Sequence, residues 1–278
     1  MPELPEVETI VRGLRPRLTG RVLTRPRLFH ADVLSGVTRL RLVRALAGNR
    51  IEEVTRRAKH AVFRMASGHR LVIQPGMSGA LLVFPRPLRS AERRYAVLVA
   101  GLRKGGTLVY RDVRRLGTVL LLDEPAWRAY TARIGPEPLA ADFGIGDLAA
   151  RLSGTRQAIK KVIMDQRRLA GVGNIYANEA LFRARIDPSR AACRLGQAEV
   201  ARLYRAVRAV LTEAIAAQGT TFRDYRTGTG ERGSFQFRLD VYGREGEPCR
   251  RCGGRLATTH AIDARSTTFC WRCQGPPR

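Results

Sequence analysis

Near the start of the chain, Val7, Ile10, Val11 and Leu14 recur at the i, i+3, i+4, i+7 spacing of one buried helix face. Pro5 sits in the first turn, where a missing N–H costs little, Glu6 and Glu8 suit the positive end of the helix, and Pro16 is expected to end it. From about residue 21 to 122 the period shortens to that of strands, at 21–29, 57–65, 70–74, 80–84, 95–100, 107–111 and 117–122. Turn signals at Ser67-Gly68, Pro85 to Pro87 and Lys104-Gly105-Gly106 separate them, and 39–46 is the one helical insertion. This pattern predicts an antiparallel β-sandwich with the N-terminal helix at its edge and Pro2 at the rim. Gly135-Pro136-Glu137-Pro138 marks a linker. Helical periodicity follows at 156–166, 174–185 and 196–218, the last with an apolar stripe from Val200 to Ile215 that is ordinary core. Residues 227–239, glycine-rich around Arg232, Phe235 and Phe237, read as a mobile loop, either a lid or a linker. The fold class is α+β and multidomain: 1–134 a helix with a sandwich, 135–240 helical, and 241–278 a cysteine-rich hairpin.

Composition adds a partner. Lys and Arg number 50 against 24 Asp and Glu, a net charge of +26, which makes a polyanion the natural ligand and nucleic acid the first candidate. Arginine-rich composition or a heparin-like surface gives the same sum. The only lysines are Lys59, Lys104, Lys160 and Lys161, so a position that keeps lysine points to a need for a compact ammonium, which makes Lys59 a candidate. No apolar run reaches the ~18 residues needed to cross a bilayer. The start is too charged for a signal peptide, and the expectation is a soluble intracellular protein.

Three stretches carry candidate chemistry. In Met1-Pro2-Glu3, removal of Met1 would leave Pro2 as a secondary amine able to condense with an aldehyde or anomeric carbon to a charged iminium. Glu3 is the nearest general acid or base, and the helix dipole behind it disfavours the protonated amine. The same residues also suit a capped helix with an incidental leading proline. Gly171-Val172-Gly173-Asn174 places two close-approaching backbones and an N-cap residue at a helix start, with Lys160 and Lys161 nearby: a phosphate site, or simply a tight turn. Cys249-x2-Cys252-x17-Cys270-x2-Cys273 has the spacing of a tetrahedral zinc ribbon. Four sulfur ligands close the site, so one structural Zn2+ is expected, with Arg255 and Arg265 on the hairpin between the pairs. Cys193 lies outside the pattern and reads as a buried thiol.

With these three stretches in one basic chain, the sequence resembles the formamidopyrimidine-DNA glycosylase family, bacterial repair enzymes for oxidised purines. The match runs nearly end to end: Met1-Pro-Glu-Leu-Pro-Glu-Val-Glu-Thr9, Arg56-Arg-Ala-Lys59, Gly76-Met-Ser-Gly79, Gly135-Pro-Glu-Pro-Leu139, Gly171-Val-Gly-Asn-Ile-Tyr-Ala177, and Val241-Tyr-Gly-Arg leading into the cysteines. The resemblance implies a helix-two-turns-helix in the middle domain and a bifunctional glycosylase and AP lyase, monomeric, in the bacterial cytoplasm at the nucleoid. Its partner would be double-stranded DNA containing oxidised bases such as 8-oxoguanine or formamidopyrimidines. It implies a catalytic set of Pro2, Glu3, Lys59 and Arg265, with a Schiff base at Pro2 followed by β,δ-elimination. Lys59, Asn174 and Arg265 would grip the phosphates around the lesion, with Lys160 and Gln74 also on the DNA. Met77, Arg114 and Leu116 would fill the void and read the orphaned cytosine, and the loop around Phe235 would cover the extruded base.

Two positions depart from the family pattern. Gln74 stands where a histidine is usual, and Leu116 replaces the usual phenylalanine wedge within Asp112-Val-Arg-Arg-Leu-Gly117. Glutamine still donates a hydrogen bond; leucine keeps an apolar wedge and loses the stacking face. The alternatives are an endonuclease VIII-type enzyme for oxidised pyrimidines and a zinc-ribbon DNA-binding protein without catalysis. The Leu-Pro-Glu-Val opening and the Arg-Arg loop favour the purine branch, and Pro2-Glu3 favours an enzyme.

Overall fold

Leu4–Leu18 forms the first helix, α1, and Val7, Ile10, Val11, Leu14 and Leu18 are fully buried along one face. At about 1.5–3 kcal/mol for each large apolar side chain removed from water, this face makes α1 part of the core. The helix does not stop at Pro16. That proline lies in the last turn, Thr19 N–H closes the end on Arg15 O at 3.1 Å, and buried Leu18 continues the stripe one turn past Leu14.

The computed structural model describes residues 2–221 and 225–275; Met1, whose removal the N-terminal reading requires, lies outside the described residues. The chain groups into two units, Met1–Arg133 with Ala217–Gln236, and Ile134–Ala216 with Phe237–Arg278. In the first unit, α1 is followed by β1 (Leu23–Leu28), α2 (Arg39–Leu46), β2 (Ile51–Arg57), β3 (His60–Met65), β4 (Arg70–Gln74), β5 (Gly79–Phe84), α3 (Ser90–Arg93), β6 (Ala96–Leu102), β7 (Thr107–Asp112), β8 (Thr118–Leu122) and α4 (Glu124–Thr131). The strands form two four-stranded antiparallel sheets in the orders β1-β6-β7-β5 and β2-β3-β4-β8. Leu98, Leu108 and Tyr110 from one and Val54, Phe63 and Leu71 from the other share a core with α1.

β2 escapes the strand pattern because its register shifts between Ile51 and Glu53, so that its two buried apolar residues, Ile51 and Val54, lie three apart instead of two. α4 starts at Asp123, whose carboxylate accepts Ala126 N–H at 2.9 Å, and lays Trp127 and Tyr130 over Val62, Val72 and Leu120. Ala217–Gln236, which the sequence reading puts with the helical domain, groups with the sandwich. Its Gly228 meets the α1 backbone so closely that a Cβ there would come within 2.5 Å of Ile10 O.

The second unit contains α5 (Ile145–Ser153), α6 (Ile159–Met164), α7 (Asn174–Ala184), α8 (Gln197–Ala216), the short hairpin β9 (Ala257–Thr259) and β10 (Thr267–Phe269), and α9 (Trp271–Gln274). The α8 stripe is core, as its periodicity predicts. Glu179 on α7 is fully buried and accepts three successive backbone N–H groups, from Asp240, Val241 and Tyr242, at 2.8–2.9 Å. This carboxylate therefore fixes the path of the chain into the cysteine hairpin. Among the described residues no helix is long and apolar enough to cross a membrane.

Candidate functional site

Glu3 occupies the extended N-cap position of α1, at φ −102° and ψ −169°. Its N–H donates to one oxygen of Glu6 at 2.9 Å, and the other oxygen accepts Thr220 N–H at 2.7 Å. One buried carboxylate thus fastens both the backbone behind Pro2 and the returning segment. The Tyr225 hydroxyl adds a bond to Glu6 O at 3.2 Å and one to Gln218 O at 3.0 Å. Burial, with the Glu6 charge, pushes the Tyr225 phenol far above its ordinary range, so it remains a donor. Pro2 and Glu3 are themselves buried, not displayed at a rim.

Lys59 lies in the two-residue turn, Ala58-Lys59, between β2 and β3, and is 4% exposed. Ala58 adopts φ +51°, and its carbonyl accepts Arg56 at 2.9 Å. Arg56 also pairs with Glu8 on α1 at 3.0 Å, which ties the lysine turn to the N-terminal helix. Burial alone would raise the Glu8 carboxyl, but Arg12 and Arg56 outweigh it and hold it below its ordinary value.

His60, next in sequence, has a fixed tautomer. Its Nδ1 faces Arg57 O at 3.1 Å, which can only accept, so Nδ1 carries the proton and Nε2 accepts the Tyr130 hydroxyl at 2.9 Å. The Gln74 side chain hydrogen-bonds this ring as well. Burial lowers the His60 pKa from 6.5, with the Arg57 and Lys59 charges acting the same way. The neutral ring's contribution is present above the unfolded value of 6.5 and is lost as pH falls through the lower folded value. Urea denaturation below pH 6.5 is therefore expected to show falling stability, and His60→Asn a shallower fall. Equal pH slopes in the two proteins would remove His60 from the acid response.

Two loops at one end of the sandwich carry the other expected residues. Met77, between β4 and β5, is 44% exposed, and Leu116, between β7 and β8, is 57% exposed beside exposed Arg114. Behind them lies Asp112, 1% exposed, which accepts Ser78 Oγ at 2.6 Å, Gly117 N–H at 2.9 Å and the Tyr110 hydroxyl at 3.1 Å. Ser78 Oγ in turn accepts Arg114 N–H at 2.9 Å. The loops approach so closely that a Cβ on Gly76 would lie 2.5 Å from Gly117 N. Only glycine permits this contact, and the pair forms one two-pronged tip.

In the second unit the phosphate turn is shifted by one residue from expectation: Gly173 is the N-cap of α7 and Asn174 its first helical residue. Asn174 Nδ2 donates to Ser266 O at 3.1 Å, which sets the hairpin tip beside the helix start. Lys160, expected on DNA, is fully buried; its ammonium donates to Thr267 Oγ1 at 2.7 Å, Ser266 O at 3.2 Å and Asp263 at 3.4 Å. It holds the segment that presents exposed Arg265. Phe235 is fully buried, so its ring packs the interior; the exposed ring nearby is Phe237, at 76%. Cys193 is exposed, against expectation, because its short 3-10 turn lies at the surface.

The four cysteine sulfurs lie within 4.8 Å of one another, with Cys249–Cys273 at 3.8 Å and Cys252–Cys270 at 3.4 Å. A tetrahedron with Zn–S bonds of about 2.3 Å has edges of about 3.8 Å, so the cluster fits one zinc with no open position. Chelation should release one zinc per chain and unfold the hairpin with Arg265 on it, abolishing DNA binding. Metal analysis beside a binding titration checks this; full affinity in metal-free protein would contradict it.

The sequence matches the models of three families: the formamidopyrimidine-DNA glycosylase N-terminal domain over residues 1–119, the H2TH domain of that glycosylase over 134–226, and a zinc finger found in FPG and IleRS over 246–275. The formamidopyrimidine-DNA glycosylase of Thermomicrobium roseum is 45% identical, covering 99% of each chain, and that of Heliobacterium modesticaldum 42%, covering 99% of this chain and 100% of the relative. The chain belongs to the formamidopyrimidine-DNA glycosylase family. Among solved structures, MutM (Fpg) from Thermus thermophilus superimposes with a TM-score of 0.86 at 38% identity, covering 99% of this chain and all of that one. Lactococcus lactis Fpg in complex with abasic-site DNA gives 0.89 at 30%, with the same coverage. Within this family framework, Asp112 and Glu179 escape sequence reading because isolated acidic residues look like solvated surface. The one hint is Asp112 at the end of an apolar strand beside a glycine-bearing loop.

Proposed function

We propose that the protein excises oxidised purines from duplex DNA and then cleaves the strand at the resulting site. The observation that carries this reading is the Glu6 carboxylate, which anchors the backbone immediately behind Pro2. Once Met1 is removed, Pro2 is a secondary amine held where it can attack. The Pro2 nitrogen bonds to the anomeric carbon as the glycosidic bond breaks with its electron pair leaving on the base, and the amine loses its proton. The sugar ring then opens, the C1′–O4′ bond breaking with its pair to O4′, which takes a proton, while the nitrogen lone pair closes the C=N+ bond. The resulting iminium acidifies the neighbouring sugar carbon, so that the 3′ and then the 5′ phosphate depart by elimination. Glu3 serves as the acid and base at the sugar.

Base extrusion costs a few kcal/mol of unstacking, which phosphate grips and a wedge offset. Lys59 and Gln74 in the first unit, and Asn174 and Arg265 in the second, bind phosphates. Met77 and Leu116 occupy the vacated stack, and Arg114 reads the opposite cytosine. Lys160 acts indirectly by holding the segment that bears Arg265. The zinc is structural. The site of action is the cytoplasmic nucleoid, and the working form is a monomer.

Borohydride trapping with the native N-terminus free tests this, on duplexes carrying 8-oxoguanine opposite cytosine or an oxidised pyrimidine. A covalent adduct mapping to Pro2 on the purine duplex is expected. A preference for the pyrimidine duplex would move the protein to the sister activity, and no adduct on either would leave binding alone.

A further inference from the structure

A cleft of about 890 Å³ opens in the second unit between the end of α5, α6, the turn after α6 and the hairpin tip. Its charge is one-sided. Two acids reach it, and both are engaged: Asp165 with Arg167 at 3.0 Å and Asp263 with Lys160 at 3.4 Å. Arg151, Lys161, Arg168 and Arg265 also line it; among the described residues none of the four makes a close ion pair, and Arg168 only feels the Asp165 charge that Arg167 already holds. Arg168 is aimed by a bond to Arg151 O at 2.6 Å. Five cations against two acids around one cavity, with little apolar wall beyond Ala150 and Met164, exclude an ordinary small apolar ligand and suit several phosphates in a row.

We propose that this cleft is a phosphodiester track, which carries the lesion strand beyond the phosphates held by Asn174 and Arg265. The proposal rests on the reading of those two residues given above. Arg265 lines the cleft, and its neighbour Ser266 accepts Asn174 Nδ2, so a strand leaving that pair enters the cleft without a gap. Arg151 and Lys161 then take the outer phosphates as exposed charges, and Arg168 the one between.

Both outer groups can be reversed without touching a packed contact. The Arg151→Glu/Lys161→Glu double variant is compared with wild type by salt titration on a long duplex and on one trimmed to end short of the cleft. Each length is made with an abasic-site analogue and undamaged. On the long duplexes the variant should bind at least about tenfold more weakly, with a log–log salt slope smaller by about 1.8, the loss of two phosphate contacts. On the trimmed duplexes it should match wild type. Arg151→Lys/Lys161→Arg should keep the wild-type slope, and Arg205→Glu, exposed on α8 away from the cleft, should keep it too. A double variant that retains the wild-type slope and long-duplex advantage, or an Arg205→Glu loss of equal size, overturns the track. Zinc content and thermal melting exclude misfolding. Failure of the repair reading is a separate result: wild type would then bind damaged and undamaged duplexes alike, whatever the cleft does.

Discussion

A chain in which the Pro2 nitrogen is locked in a peptide bond, with Met1 retained or a residue added before it, is expected to show no strand cleavage above about 10⁻⁴ of the native rate. An amide nitrogen has no lone pair to give, and losing the nucleophile from a unit of cooperating groups costs on the order of 10⁴-fold or more. Folding should hardly change. Pro2 lies ahead of α1, and the bonds that fix this end use Glu3 N–H and the Glu6 carboxylate, which the extension leaves alone. Single-turnover cleavage of an 8-oxoguanine duplex, beside thermal melting and binding to an abasic-site analogue, separates the two effects. Cleavage at the native rate by the extended chain would sink Pro2 as the nucleophile.

The zinc site was legible because it depends on spacing alone. Arg70–Gln74 and Arg39–Leu46 were legible for other reasons: the first is a short apolar run, Leu71 to Ile73, and the second sets Leu42 and Leu46 four apart on one helix face. Where the period was broken, reading failed: β2 hides its strand behind a register shift, and α1 passes through a proline that looked like a stop. The supports of the site were harder still. Glu6 faces Thr220 across 214 positions of sequence, and Lys160 reaches Thr267 across 107. A buried lysine with three acceptors and an exposed phosphate-binding lysine are the same letter. Burial, which only the tertiary fold decides, is what sorts Lys160 from Lys161.

Asp112 is a support of the same hidden kind, buried with three donors on it. Asp112→Ala should cost about 3–5 kcal/mol, because it strands three buried donors, Ser78, Tyr110 and Gly117 N–H. Tyr110 cannot compensate: burial, with the Asp112 charge, keeps its phenol protonated, so it needs an acceptor. Asp112→Asn keeps one oxygen and should recover part of the loss. The functional effect should exceed that of either tip residue. Met77→Ala or Leu116→Ala shortens one prong, whereas losing Asp112 releases both loops from the Gly76–Gly117 contact. In the Asp112→Ala background a further Leu116→Ala change should therefore have little additional effect on kcat/KM, while in wild type it has its full effect, the non-additivity expected of coupled sites. Urea denaturation with single-turnover kinetics across this cycle tests the point. Asp112→Ala within about 0.5 kcal/mol of wild type, or Leu116→Ala equally costly in both backgrounds, would mean that the two loops are held independently.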